Sequence, residues 1–375
     1  MIPGGRSAAV LFPLILGAVL VVCGKSGNST AQKPAVRLKT VSCVDRSGTG
    51  IEAFRMLIPA DWKFEGGISW KLDNPGMPAV AGFKVFNPTG QDEFEVFPNQ
   101  PFFWTDNAMH RRMFPPGSRY FGNEVRPPVG PVEALKKIAL PRFRGKIEGL
   151  KIAREEHLPE LARALGAGVQ RHAGITAAAD GARIRIEYQR NGITIEEELY
   201  GVVEAYGFPI QSMAGTFTNT MWTVSYLFSF KAERGHLDQQ APLFTTMTSS
   251  FRLNPQWFSK YNQTVEYLIS RQIQNIRNVG ELSRILSRTS NEISDHMMQS
   301  YEERQKVYDR VSENFSQHIR GVDEYYDPAG QKSIELPAGY GHAWTNALGE
   351  YIVSESEDFN PNIGSNKNWQ KMQKK

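Results

Sequence analysis

The sequence predicts an α+β fold built on antiparallel strands and extended by a long amphipathic helical segment. Three observations carry that prediction. Residues 43–253 hold a succession of short apolar or alternating runs broken by Pro, Gly, Asn and Asp, the pattern of antiparallel strands between tight turns. Over residues 254–322 the period changes, and large apolar side chains recur every three or four positions among Gln, Asn, Ser and Arg, which puts them on one helix face. Residues 323–375 return to short strand-like runs. With 375 residues, 41% of them hydrophobic and 11% aromatic, the chain can bury a large core, so wholesale disorder and fibrous architectures are excluded. The 43 basic and 39 acidic residues leave a net charge of +4, dispersed along the chain, and no nucleic-acid partner is implied.

In chain order, residues 1–31 read as an address. A short stretch carrying Arg6 precedes an apolar run from Ala8 to Val22, shorter than the ~20 residues of a spanning helix, so a secretory signal fits. Two processing sites compete. Leu20-Val21-Val22-Cys23-Gly24 approximates a bacterial lipobox with Cys23 as the lipidation candidate, although Val22 stands where a small residue is expected. Ser29-Thr30-Ala31 suits ordinary signal peptidase. The expectation is export to the periplasm or cell surface, lipid-tethered or released, with an uncleaved anchor as a third option. Either processing leaves Cys43 as the single cysteine; no internal disulfide forms, and Cys43 reads as a buried small hydrophobe rather than a reactive thiol.

Residues 32–42 read as a polar leader. Strands follow at Ala53–Pro59, Gly67–Leu72, Ala81–Phe86 and Glu93–Phe97, separated by Asn74-Pro75-Gly76 and Asn87-Pro88-Thr89-Gly90, turns in which Pro fixes φ and Gly accepts a positive one. Pro98–Gly130 reads as a long loop. Pro131 opens a helix from its first position, and Leu158–Leu165 is a second, short one. The clearest local signal is a hairpin: Ile184, Ile186 and Tyr188 alternate with charged residues, Asn191-Gly192 supplies a type I′ turn, and Ile193–Ala205 returns. Trp222–Phe230 alternates beside it, and Gln239–Phe251 has one apolar helical face.

These strands, the Asn-Gly hairpin and the closing run Ala241–Arg252 resemble the Mog1p/PsbP-like superfamily over residues 43–253. That resemblance implies an antiparallel sheet sandwiched by helices. It also implies binding or assembly work without catalysis, and it transfers no functional residue.

Beyond Asn254, Trp257, Phe258, Tyr261, Val265, Leu268, Ile269 and Ile273 begin the helical stripe, with breaks at Gly280 and at the Thr289–Asn291 cap. Two arrangements stand open: a helical hairpin packed on the sheet domain, or an arm that self-associates through 254–322 in a coiled-coil-like contact. The tail 323–375 reads as a small meander of Lys332–Leu336, His342–Thr345 and Glu350–Ser354 with a frayed polar end. It resembles carboxy-terminal segments of uncharacterised secreted bacterial proteins.

Chemical signatures are absent: the sequence has no Walker-type loop, no His-Glu-x-x-His, no Gly-x-Ser-x-Gly and no zinc-ribbon spacing. Neither a catalytic residue, a metal site nor a cofactor is therefore expected. Glu292 with His296 reads as a solvated helical pair rather than as metal ligands. Glu196 and Glu198 share a strand side, as a cation or acid/base pair or simply as an exposed face. The binding candidates are Tyr340, His342, Trp344 and Tyr351 in the tail, with Phe102, Phe103 and Trp104 in the loop. In both groups the competing reading is that the aromatics only pack. The function expected is an exported, envelope-located binding or assembly module that presents its sheet domain to an unnamed protein partner and meets the membrane only through its amino-terminal anchor, if that anchor is retained. The alternative is a secreted hydrolase of envelope carbohydrate or peptide using Glu196, Glu198 or His342.

Overall fold

The run Ala53–Ile58 is apolar at every position but Arg55, and a strand of that kind is stable only when both its faces are covered. That requirement organises the computed structural model, which describes residues 34–164, 176–212, 215–271, 301–302, 306 and 321–375. Strands take 48% of the described residues and helices 19%, so the fold is mostly β, in curled, antiparallel-rich sheets with few helices.

Three sheets are present among the described residues. The six-stranded sheet runs Arg252–Leu253, Glu52–Pro59, Val36–Val44, Tyr351–Ser354, His342–Thr345, Gln370–Lys371. The ten-stranded sheet follows the path Lys63–Trp70, Ala79–Phe86, Glu93–Val96, Gly215–Glu233, Ile193–Ser212, Thr176–Arg190, Lys151–His157. Gln100–Thr105, Asn123–Val125 and Arg119–Tyr120 branch from the Asn219–Val224 part of Gly215–Glu233. The three-stranded sheet is Lys332–Pro337, Val322–Asp327, Gln373–Lys374.

Strand alternation gives each sheet two packings. On one face of the ten-stranded sheet Ile184, Leu199 and Trp222 bury against Leu135 and Ile138 of the helical stretch 131–143. On the other, Tyr200, Val202, Phe228 and Phe230 bury against Phe54, Met56 and Ile58, and against Phe244 and Met247 of the helix Leu237–Ser249. Leu57 turns the opposite way and packs with Leu38 against Tyr325 and Leu336 of the three-stranded sheet. The layers therefore run from helical stretch to ten-stranded, six-stranded and three-stranded sheet. Each large side chain so buried contributes about 1.5–3 kcal/mol.

The Asn191-Gly192 turn closes its hairpin with φ of +51° and +79° and Arg190 opposite Ile193, as the sequence predicts. Farther along, the register with Gly215–Glu233 shifts between Tyr200 and Val202. A side chain at Gly201 would come within 3.0 Å of Leu135 and Leu227, so glycine lets the helical stretch lie close where the bulge bends the strand.

Several elements differ from expectation. The stretch read as a polar leader supplies Val36–Val44, an inner strand of the six-stranded sheet. Its period is masked because Lys39 ends on the carbonyls of Ala60 and Trp62 while Arg37 ends on Glu350. Pro98–Gly130, read as a loop, holds three strands and the helix Ala108–Met113. Lys151–His157 is a further unforeseen strand. In the tail, Lys332–Pro337 pairs with Val322–Asp327, whereas His342–Thr345 and Tyr351–Ser354 join the six-stranded sheet through Val36 opposite Val353. Three strands so short cannot bury a core of their own and are divided between two sheets. The chain end is pinned by buried Trp369 and Met372. Of the helical segment, Pro255–Arg271 is described, with Trp257, Phe258 and Leu268 buried. Apart from 301–302, 306 and 321–322, its remainder lies outside the described residues, including Gly280, Glu292 and His296, as do residues 1–33 with Cys23.

Glu350 locks the junction of amino- and carboxy-terminal strands, accepting from Arg37 at 2.8 Å, Asn346 at 2.9 Å and Lys367 at 2.8 Å. Burial by itself would raise this carboxyl, but the Lys367, Asn346 and Arg37 donors outweigh it and hold the group at about 2, against an ordinary 4.5. A depressed folded-state pKa contributes stability that is full above the unfolded value and is lost as pH falls from about 4.5 towards 2. Lys367→Met is expected to remove about 1–2 kcal/mol near neutral pH and less near about pH 3, read from urea titrations at both.

Candidate functional site

A cleft of about 600 Å³ opens at the rim where the three-stranded and six-stranded sheets meet. Its floor follows from strand periodicity. Leu57 and Arg55 project to one side of Glu52–Pro59; Leu57 completes the apolar layer, and Arg55, one step further, brings a guanidinium that ends it. Ser249, Ser250 and Arg252 add the end of the helix Leu237–Ser249, tied to the floor by the Leu57 N–H donating to Ser250 Oγ at 2.9 Å. Arg252 donates to the carbonyls of Ser249 and Phe251. The turn Ala347–Gly349 closes one end, held by Asn346 Oδ1, which accepts from the N–H groups of Leu348 and Glu350.

The opposite wall is Lys332–Glu335, with Glu324 beside it. Register sets Glu324 directly across from Glu335, a like-charge pair that destabilises a sheet unless cations offset it. Lys375 Nζ stands 3.2 Å from Glu324. Hydrogen bonding from Ser333, then Lys375, holds Glu324 below the ordinary carboxylate range despite its exposure, so it is a fixed negative charge rather than a proton donor. Among the described residues Lys332–Pro337 is the outer strand of its sheet, paired to Val322–Asp327 alone, and its exposed half forms the wall. The cleft is thus lined by a strand edge, three basic groups (Arg55, Arg252, Lys332) and two carboxylates.

Of the aromatics singled out in the sequence, Tyr351 lines this cleft. Its ring is buried and its hydroxyl donates to Asp327 Oδ2 at 2.7 Å. Tyr340 is buried in the same apolar layer. Trp344 is buried on the other side of its strand with Ile352 and Trp369, and the His342 ring lies 6.0 Å from it. Because Thr345, not Trp344, stands opposite Tyr351, period two puts Tyr351 on the face away from His342 and Trp344. Phe102 and Phe103 belong to the ten-stranded sheet and are buried, stacked at 4.3 Å on Trp222 and Tyr120 respectively. Trp104 is half-buried with the Arg111 guanidinium 5.6 Å from its ring.

The carboxylates Glu196–Glu198 are not a solvated face. Glu198 is buried, bonded to Arg185 at 3.0 Å and to the Tyr200 hydroxyl at 2.5 Å, with Arg183 at 3.4 Å. Glu196 accepts from the Gly235 N–H at 3.0 Å. On the other face Glu197 binds Arg144. Cys43 is buried, and burial, followed by the charge of Asp45, pushes its thiol up to about 11; it stays protonated and inert at neutral pH.

Among the described residues no group of three or more His, Cys, Asp or Glu side chains is placed to hold a metal ion. Compared with known proteins, the chain matches no protein-family model and no curated sequence.

Proposed function

We propose that the protein is an exported, envelope-located binding or assembly module, and that its cleft receives an extended, charged segment of a partner protein. The observation that carries this reading is the outer strand Lys332–Pro337 forming a cleft wall opposite Arg55 and Arg252. A segment laid beside that strand gains main-chain hydrogen bonds, and its side chains meet both signs of charge along the cleft. The targeting pattern of residues 1–31 supports the location. The likeness to the Mog1p/PsbP-like superfamily belongs to the same proposal: helices 131–143 and Leu237–Ser249 lie on opposite faces of the ten-stranded sheet, as sandwiching requires, although a second sheet shares one of those faces. The hydrolase alternative draws no support from Glu196, Glu198 or His342, none of which lines the cleft.

The test compares partners captured from the native envelope by wild type and by Arg55→Glu/Lys332→Glu, both exposed positions. At least a tenfold loss of a specific protein, with an unchanged melting temperature, is expected from reversing two charges that steer and hold a charged segment. Identical capture by the two proteins would remove the cleft as the site.

A further inference from the structure

Two hairpins of this chain turn through two residues in left-handed backbone, and different side chains close them. One is Asn191-Gly192, at φ of +51° and +79°; the other is Phe121-Gly122, at +46° and +77°, between Arg119–Tyr120 and Asn123–Val125. Glycine is required at 122, where a Cβ would stand 2.2 Å from the carbonyl oxygen of Asp73. Nothing comparable requires phenylalanine at 121. A type I′ turn favours Asn, Asp or Gly there, and a bulky residue is strained. The ring gains little burial in return, being 67% exposed. Strain that holds a mostly exposed aromatic ring out in water, with one edge contact to Tyr120 to offset it, points to function.

The surroundings share that character. The Phe121 ring lies 4.7 Å from Tyr120, which lies 4.9 Å from Phe114 at the end of the helix Ala108–Met113. That helix buries none of its residues; Met109 and Met113, four positions apart on one face, are 71% and 64% exposed. Residues 107–122 contain Arg111, Arg112 and Arg119 and no acidic side chain. The flanking carboxylates are engaged, one of them with Arg119 itself. Asp73 is 3.8 Å from Arg119, Asp106 accepts from the Thr218 N–H, and Glu124 is taken by Arg126 and Arg142.

We propose that this tip is a peripheral docking element for an anionic phospholipid surface. Phe121, Met109 and Met113 enter the interface, and Arg111, Arg112 and Arg119 meet the headgroup phosphates. Charge complementarity favours this occupant, because exposed apolar side chains interleaved with guanidinium groups suit a fluid anionic interface that needs no matching cavity. The cleft shares no residue with the tip, so either proposal can fail alone.

The apolar stretch Ala8–Val22 could by itself bring the full chain to vesicles, so the readout must be local. In the full chain with Cys23→Ser, a nitroxide label on Met113→Cys is examined on phosphatidylglycerol/phosphatidylcholine vesicles; the remaining cysteine, Cys43, is buried. Relaxation by oxygen in preference to a water-soluble nickel complex is expected, showing the label immersed. Adding Phe121→Asn should raise the urea midpoint, because Asn suits the turn, while the immersed fraction falls about tenfold on withdrawal of one ring from the interface. Arg111→Gln and Arg112→Gln should each lower that fraction about fivefold on anionic vesicles and leave it unchanged on zwitterionic ones, so that each narrows the preference. A label that stays in water on vesicle-bound, folded protein overturns the proposal and leaves the tip to a protein partner.

Discussion

Replacing Glu197 by alanine is expected to destabilise the protein by about 3–5 kcal/mol, the typical result of removing one partner from a buried ion pair. Glu197 is fully buried; it accepts from Arg144 Nε at 3.0 Å and Nη2 at 2.5 Å and from the Tyr188 hydroxyl at 3.0 Å. Burial opposes its charge, but the Arg144 guanidinium outweighs burial and lowers the carboxyl below its ordinary value. Without it, Arg144 keeps only the half-buried Glu95, at 2.6 Å, as an anionic partner, and a cation cannot be left there cheaply. The size of the effect is a property of the orphaned charge more than of the pair. Arg144→Met combined with Glu197→Leu should therefore recover much of what either change alone loses. Urea denaturation of both single variants and the double variant checks this, and a strictly additive double variant would contradict it.

Asp45→Ala is the second large effect, at about 3–5 kcal/mol. Asp45 is 1% exposed and without a cationic partner among the described residues. Instead it accepts from the indole N–H of Trp70 at 3.0 Å and of Trp257 at 2.9 Å, and from the N–H and hydroxyl of Thr49. One carboxylate thus joins the end of Val36–Val44, the strand Lys63–Trp70 and the helix Pro255–Arg271. Alanine leaves two indole donors and a backbone donor unsatisfied, each costing about 1–3 kcal/mol where it is buried. Because Trp70 and Trp257 report on the site directly, a red shift of tryptophan emission at low urea should accompany the loss. Asn, which keeps one acceptor oxygen, should cost about half as much. A loss below about 1 kcal/mol for Asp45→Ala would mean that water replaces the carboxylate without penalty.

What is legible in the sequence is local. The Asn191-Gly192 turn fixes a register, and counting outward from it sets Arg185 opposite Glu198; the buried ion network could have been found by that count. Strand alternation also separates Glu197 from Glu198. It does not tell which face will be covered, and here both are, so carboxylates that suit an exposed strand are interior. The cleft is less visible, since Arg55, Ser250, Lys332 and Leu348 come from four distant segments and converge only when the sheets stack. Phe121 escapes for the opposite reason. Turn chemistry is read from Asn, Asp, Gly and Pro, and a phenylalanine in left-handed backbone carries no such mark.

The pairing of Val36–Leu38 with Tyr351–Val353 has a consequence for the order of folding. Val36–Val44 has on one side a neighbour, Glu52–Pro59, that follows it closely in the chain, and on the other a neighbour that is made some three hundred residues later. Loop-closure entropy grows only slowly with separation, so the delay costs little in final stability. It does weigh on rate, because such a contact is among the last that a chain can form. Until then one edge of Val36–Val44 stays open and the layer above Leu38 and Leu57 is incomplete. A chain arranged in this way stays incomplete until residues 351–353 have been made, and an incompletely folded polypeptide can still be threaded across a membrane, as the proposed export would require.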